Sequence, residues 1–66
     1  MTVQDLIRMC DFLDKKSPKV ELFYEYRRDD AVVICNLDDY DKMNDYLDNE
    51  VYSFRFREGF LEIYMN

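Results

Sequence analysis

The side chains best equipped for chemistry in this chain are carboxylates, and they are crowded. Between Asp29 and Glu50 stand Asp29, Asp30, Asp38, Asp39, Asp41, Asp45, Asp48 and Glu50, opposed by one base, Lys42. Four of these, Asp39, Asp41, Asp45 and Glu50, fall at positions 1, 3, 7 and 12 of the frame that EF-hand loops use to ligate calcium through hard oxygens. The frame fails at its centre. Position 5 is Met43, which has no oxygen to give, and position 6, where a sharp turn needs glycine, is Asn44. A helical stripe also runs through the stretch where the loop would lie. No metal site is expected, and the property that remains is the charge itself.

Other chemistries lack their parts. The chain has no histidine, the commonest general base and metal ligand. Ser17 and Ser53 have no evident base, and Cys10 and Cys35 fall on apolar faces, where a thiol is inert. The single glycine, Gly59, belongs to a turn, so there is no glycine-rich cradle for phosphate. The chain reads as a non-enzymatic protein without a cofactor. Direct binding of DNA or RNA is disfavoured as well, because a binder clusters Lys and Arg against phosphates. Here Arg27-Arg28 lie in a turn while Arg55 and Arg57 lie on a strand.

The charge is unevenly placed. The 66 residues carry fifteen acids and nine bases, a net of −6. Asp29 to Glu50 holds eight acids and one base, or −7, which leaves +1 for everything else. At this length one domain, residues 1–66, is expected, with a core so small that a partner could complete it. The longest apolar run, Ala31 to Cys35, falls far short of the roughly 20 residues that span a bilayer. Met1 to Asp5 has no signal-peptide character, and two cysteines without metal spacing suit reduced thiols. A cytoplasmic protein is the expectation.

The elements that must position these residues follow from periodicity. Thr2, with Asp5 three residues on, forms a capping box ahead of Val3, Leu6, Ile7, Cys10 and Leu13, one helical stripe. Lys15 and Lys16 suit the negative end of that helix, and Ser17-Pro18 stops it. Lys19 to Tyr26 and Ala31 to Leu37 alternate as strands about the turn Arg27–Asp30, which pairs Tyr26 with Ala31, Tyr24 with Val33, Leu22 with Cys35 and Val20 with Leu37. Asp38 or Asp39 caps a second helix reaching about Asp48, with Tyr40, Met43 and Leu47 as its stripe. Val51 to Arg57 and Phe60 to Met65 flank Glu58-Gly59, a two-residue hairpin turn. It sets Phe56 against Leu61, Phe54 against Ile63, Tyr52 against Met65, Arg55 against Glu62 and Ser53 against Tyr64. The expected fold is α+β in the order αββαββ, a four-stranded antiparallel sheet with both helices on one face.

Two surfaces stand out. On the second helix Asp38, Asp41, Asp45 and Asp48 would share one sector, a row of carboxylates about 15 Å long at helical rise. Asp45 and Asp48 oppose the helix dipole and repel each other, so helix stability does not account for them. A solvated face that keeps a small protein soluble would. The alternative is a site: Asp29, Asp30, Asp38, Asp41, Asp45, Asp48 and Glu50 engaging a basic groove on a partner protein, spaced something like a phosphate backbone. The second surface is the outer sheet face, where Phe23, Val32 and Ile34 would cluster as a face for a second copy.

Very short, acidic, α+β and without a catalytic set, the chain resembles the small inhibitors encoded by mobile elements, such as anti-restriction and anti-CRISPR proteins. Several of these occupy the nucleic-acid groove of their target. The resemblance lies in size, charge and class, so it transfers no functional residues. What it implies is an inhibitor that docks on a nuclease or another nucleic-acid-handling enzyme by mimicking DNA. The other expectation is a homodimeric interaction module.

Overall fold

A computed structural model describes residues 1–13 and 19–66, with side chains described for 1–10 and 19–66. The first helix, α1 (Val3–Leu13), begins where the sequence places it. Thr2 Oγ1 accepts from the Asp5 amide at 3.2 Å, and Asp5 Oδ2 accepts from the Thr2 amide at 3.1 Å, closing the capping box. The Thr2 amide, by stabilising the charged form, holds the Asp5 carboxyl below its ordinary value. Val3, Leu6, Ile7 and Cys10 are buried, as one apolar stripe requires. The stop at Ser17-Pro18, with Lys15 and Lys16, lies outside the described residues.

Four strands follow: β1 (Lys19–Tyr24), β2 (Val33–Asn36), β3 (Val51–Arg57) and β4 (Phe60–Met65), with α2 (Tyr40–Met43) and a 3-10 turn (Asn44–Tyr46) between β2 and β3. The fold is α+β, but the sheet is mixed rather than antiparallel. Its order is β2-β1-β4-β3, and the two central strands, β1 and β4, run parallel. The placement has a clear cause. β1 and β4 carry apolar side chains on both faces, Leu22 with Phe23 and Ile63 with Tyr64, all buried. Strands of that kind belong in the middle of a sheet, and half-polar ones belong at its edges. The chain from Leu37 to Glu50 crosses from the β2 edge of the sheet to the β3 edge.

The two hairpins depart from expectation by different amounts. In the first, Val20 faces Cys35, Glu21 faces Ile34 and Leu22 faces Val33, two residues away from the expected register. An even slip returns every side chain to the same face, so the apolar pattern tolerates it. The connection runs from Glu25 to Val32 and is tied by its own contacts. The Arg27 amide donates to Tyr24 O at 2.9 Å, and the Val32 amide donates to Leu22 O at 2.8 Å. In the second hairpin Phe56 with Leu61, Phe54 with Ile63, Arg55 with Glu62 and Ser53 with Tyr64 pair as expected. Glu58 (φ 48°) and Gly59 (φ 85°) both adopt the left-handed conformations of a type I′ turn. One pair differs. A bulge at Tyr52 sets Val51, not Tyr52, opposite Met65. Val51 then packs against the core while Tyr52 is exposed.

Val3, Leu6, Ile7 and Cys10 of α1 and Met43 of α2 share a single core with Val20, Leu22, Cys35, Leu37, Leu61, Ile63 and Met65. Both helices therefore lie on the same sheet face. No described helix is long and apolar enough to cross a membrane.

Candidate interaction surfaces

The acidic segment does not form the ten-residue helix that would align its carboxylates. α2 is a single turn, Tyr40–Met43, followed by the 3-10 turn Asn44–Tyr46. Asp39 caps it, accepting from the Lys42 amide at 3.3 Å, with Lys42 Nζ 3.8 Å from its other oxygen. The residues beyond Met43, namely Asn, Asp and Tyr, are poor helix formers, and like charges at helical spacing repel. A tertiary demand also intervenes. Leu47 O accepts from the Gln4 amide at 3.0 Å, and Asn49 O accepts from the Val3 amide at 2.9 Å. The carbonyls that end the acidic segment thus satisfy orphan amides at the positive end of α1.

Asp38, Asp41, Asp45 and Asp48 therefore do not line one helical sector, and all four are exposed. The expected site residues divide into two groups. Asp30 pairs with Arg27 at 3.0 Å, and Glu50 pairs with the Met1 amino group at 3.1 Å. Among the described residues no ion pair reaches Asp29, Asp38, Asp41, Asp45 or Asp48. No three acid or cysteine side chains among them converge in a metal-binding arrangement. The Cys35 thiol is buried, and burial pushes its pKa up, away from the reactive thiolate.

The outer sheet face is organised around a carboxylate whose pairing with Arg55 the sequence predicts and whose burial it does not. Glu62 is 6% exposed. Its Oε1 accepts from Arg55 Nε and, at 3.1 Å, from the Tyr64 hydroxyl, while Arg57 lies 3.8 Å from Oε2. The Arg55 hydrogen bond is the chief reason that the Glu62 carboxyl sits below its ordinary value and that the Arg55 guanidinium is held in its charged form. The Phe23 ring stacks on Tyr64 with centroids 5.2 Å apart. The Arg28 guanidinium lies 4.5 Å from the Tyr64 centroid and 5.9 Å from that of Tyr52, and Arg28 also pairs with Glu25.

Arg28 and the Arg55–Arg57 pair look scattered along the chain. The parallel contact of β1 with β4 brings them to one face. The Arg55–Glu62 cross-strand pair and the apolar neighbours of Glu62 were the available signals. The expected outer-face cluster divides too. Phe23 is only 7% exposed, beneath this network, and Ile34 faces Glu21 rather than Phe23. Val32 (40% exposed) and Ile34 (57% exposed) remain open to solvent.

No family model, no curated protein and no solved structure matches this chain.

Proposed function

We propose that the chain is a small, acidic, non-enzymatic binding protein that docks on a basic surface of a protein partner through its Asp29–Glu50 segment. In its most specific form it inhibits a nucleic-acid-handling enzyme, with carboxylates standing where phosphates would bind. One observation carries this reading: Asp29, Asp38, Asp41, Asp45 and Asp48 have no ion pair among the described residues, while Asp30, Asp39 and Glu50 are engaged within the chain. A segment of net charge −7 raises the encounter rate with a cationic groove and makes association salt-sensitive.

The test replaces Asp41, Asp45 and Asp48 with lysine and leaves the cap Asp39 in place. Capture of partners from host extract is expected at low salt with the native chain, to weaken at high salt, and to vanish in the variant while its circular dichroism stays native. Capture that is unchanged in the variant sinks the proposal.

A second reading, a homodimer through Phe23, Val32 and Ile34, draws on the exposure of the last two. Sedimentation of the native chain and of Ile34→Asp separates it from the first. A dimer that the substitution dissociates would favour it.

A further inference from the structure

The two edges of the sheet are unequal. β2 is four residues long and is bracketed by Asp29-Asp30 before it and Asp38-Asp39 after it. Short length and flanking charge both discourage another strand from pairing there. β3, seven residues long, lies at the opposite edge. The chain's own amino terminus already uses the start of that edge: the Val51 amide donates to Met1 O at 2.8 Å, and Thr2 bridges Glu50. Beyond it, from Ser53 to Arg57, no described strand pairs with the side of β3 that faces away from β4. Phe54 and Phe56 are 42% and 59% exposed there.

A free strand edge is completed by an extended segment, and the side chains on its two faces decide which kind. On one face Arg55 and Arg57 share one carboxylate, Glu62, and their own side chains are 57% and 60% exposed. Two guanidiniums against one charge leave room and attraction for a further acid. On the other face stand Phe54 and Phe56. β4 meets the same demands from the inner side, with Glu62 opposite Arg55 and with Ile63 and Leu61 opposite Phe54 and Phe56. A second copy of β3 fits poorly. Two-fold antiparallel pairing over the regular stretch Ser53–Arg57 centres on Arg55 and sets like charges directly opposite. Copies that each carry a net charge of −6 also repel.

We propose that β3 is a docking edge for an extended segment of a partner protein in which acidic and apolar side chains alternate. The segment adds as a fifth strand, its acids over Arg55 and Arg57 and its apolar side chains over Phe54 and Phe56. This surface is independent of the acidic segment, and either proposal stands if the other fails.

The test follows backbone amides of the full chain by two-dimensional NMR during titration with an end-capped heptapeptide of alternating glutamate and valine. Shifts centred on Ser53–Arg57 are expected. A lysine–valine counterpart and a fully N-methylated glutamate–valine analogue should each bind about tenfold or more weakly, since one loses the charge match and the other the backbone donors. Arg57→Gln, whose Glu62 contact is the long one, should weaken binding severalfold while keeping the native spectrum. Equal binding by the lysine peptide, shifts centred on β2 or the acidic segment, or no shifts at millimolar peptide would overturn the proposal. So would β3 shifts on concentrating the protein alone, which would give the edge to a second copy.

Discussion

The two hairpins are built from the same strand-forming residues yet are held by different forces. In β3–β4 two residues with positive φ close the turn, and the register follows from the turn itself. In β1–β2 the connection from Glu25 to Val32 is tied by surface pairs, Arg27 with Asp30 and Arg28 with Glu25, and by a few backbone bonds. Surface pairs of that kind contribute at most about 1 kcal/mol each, too little to choose between registers that bury the same face. The choice falls to the core, where Val20 and Leu22 lie against Leu61 and Ile63 of the neighbouring strand. One hairpin is specified locally; the other is specified by what it packs on.

The largest expected effect comes from the residue the two hairpins share. Ile63 pairs with Leu22 on one side and Phe54 on the other, and is fully buried. Ile63→Ala should cost about 2–5 kcal/mol. Against a total of about 3–10 kcal/mol for a chain of this size, urea melts should show a strongly lowered midpoint, with both hairpins lost together. Next comes Gly59→Val. The space around a Cβ at Gly59 is open, so the penalty is purely conformational, at φ 85°. About 1–3 kcal/mol is expected by thermal or urea melting, borne chiefly by β3–β4.

Glu62→Gln tests the outer network and should cost about 1–2 kcal/mol from its charge-assisted bonds. It carries a pH signature of definite sign. The Glu62 carboxyl is depressed in the folded state, so its contribution is full above its ordinary value of 4.5 and is lost as pH falls below that through the lower folded value. In acid titrations of stability, Glu62→Gln should therefore show a shallower decline below about pH 4.5 than the native chain. The smallest effect should be a two-glycine insertion between Asp29 and Asp30, at about 0.5 kcal/mol or less. If the insertion cost as much as Gly59→Val, the first hairpin would be turn-specified after all and the contrast would collapse.

Legibility in the sequence tracks the range of the interactions. The capping box of Thr2 and Asp5, the Val3–Leu6–Ile7–Cys10 stripe and the Phe54–Ile63 register were all readable, because each depends on residues within one turn or one hairpin. The second helix is shorter than its pattern implies. A stripe of Tyr40, Met43 and Leu47 suggested ten residues, but the carbonyls of Leu47 and Asn49 are drawn to the amides of α1, forty-odd positions earlier. The acidic surface was readable as composition, since Asp38, Asp41, Asp45 and Asp48 are indeed exposed. Its expected alignment was not, because that depended on the helix. Nor was the outer cluster of Arg28, Tyr52, Tyr64, Glu62 and Phe23, whose members meet only when β1 lies beside β4.

Periodicity, caps and the Glu58-Gly59 turn by themselves determined that there are four strands, where the first helix starts and how the tight hairpin pairs, for these follow from local sterics and residue type; β1 and β2 are shorter than their pattern implies. Tertiary structure alone decided the parallel contact at the centre of the sheet, the two-residue shift of the first hairpin, the bulge at Tyr52 and the burial of Glu62. The reason is that a strand's alternation says which face a side chain takes but not which neighbour it meets. Only the joint burial of Leu22, Phe23, Ile63 and Tyr64 on both faces of one sheet selects the partner.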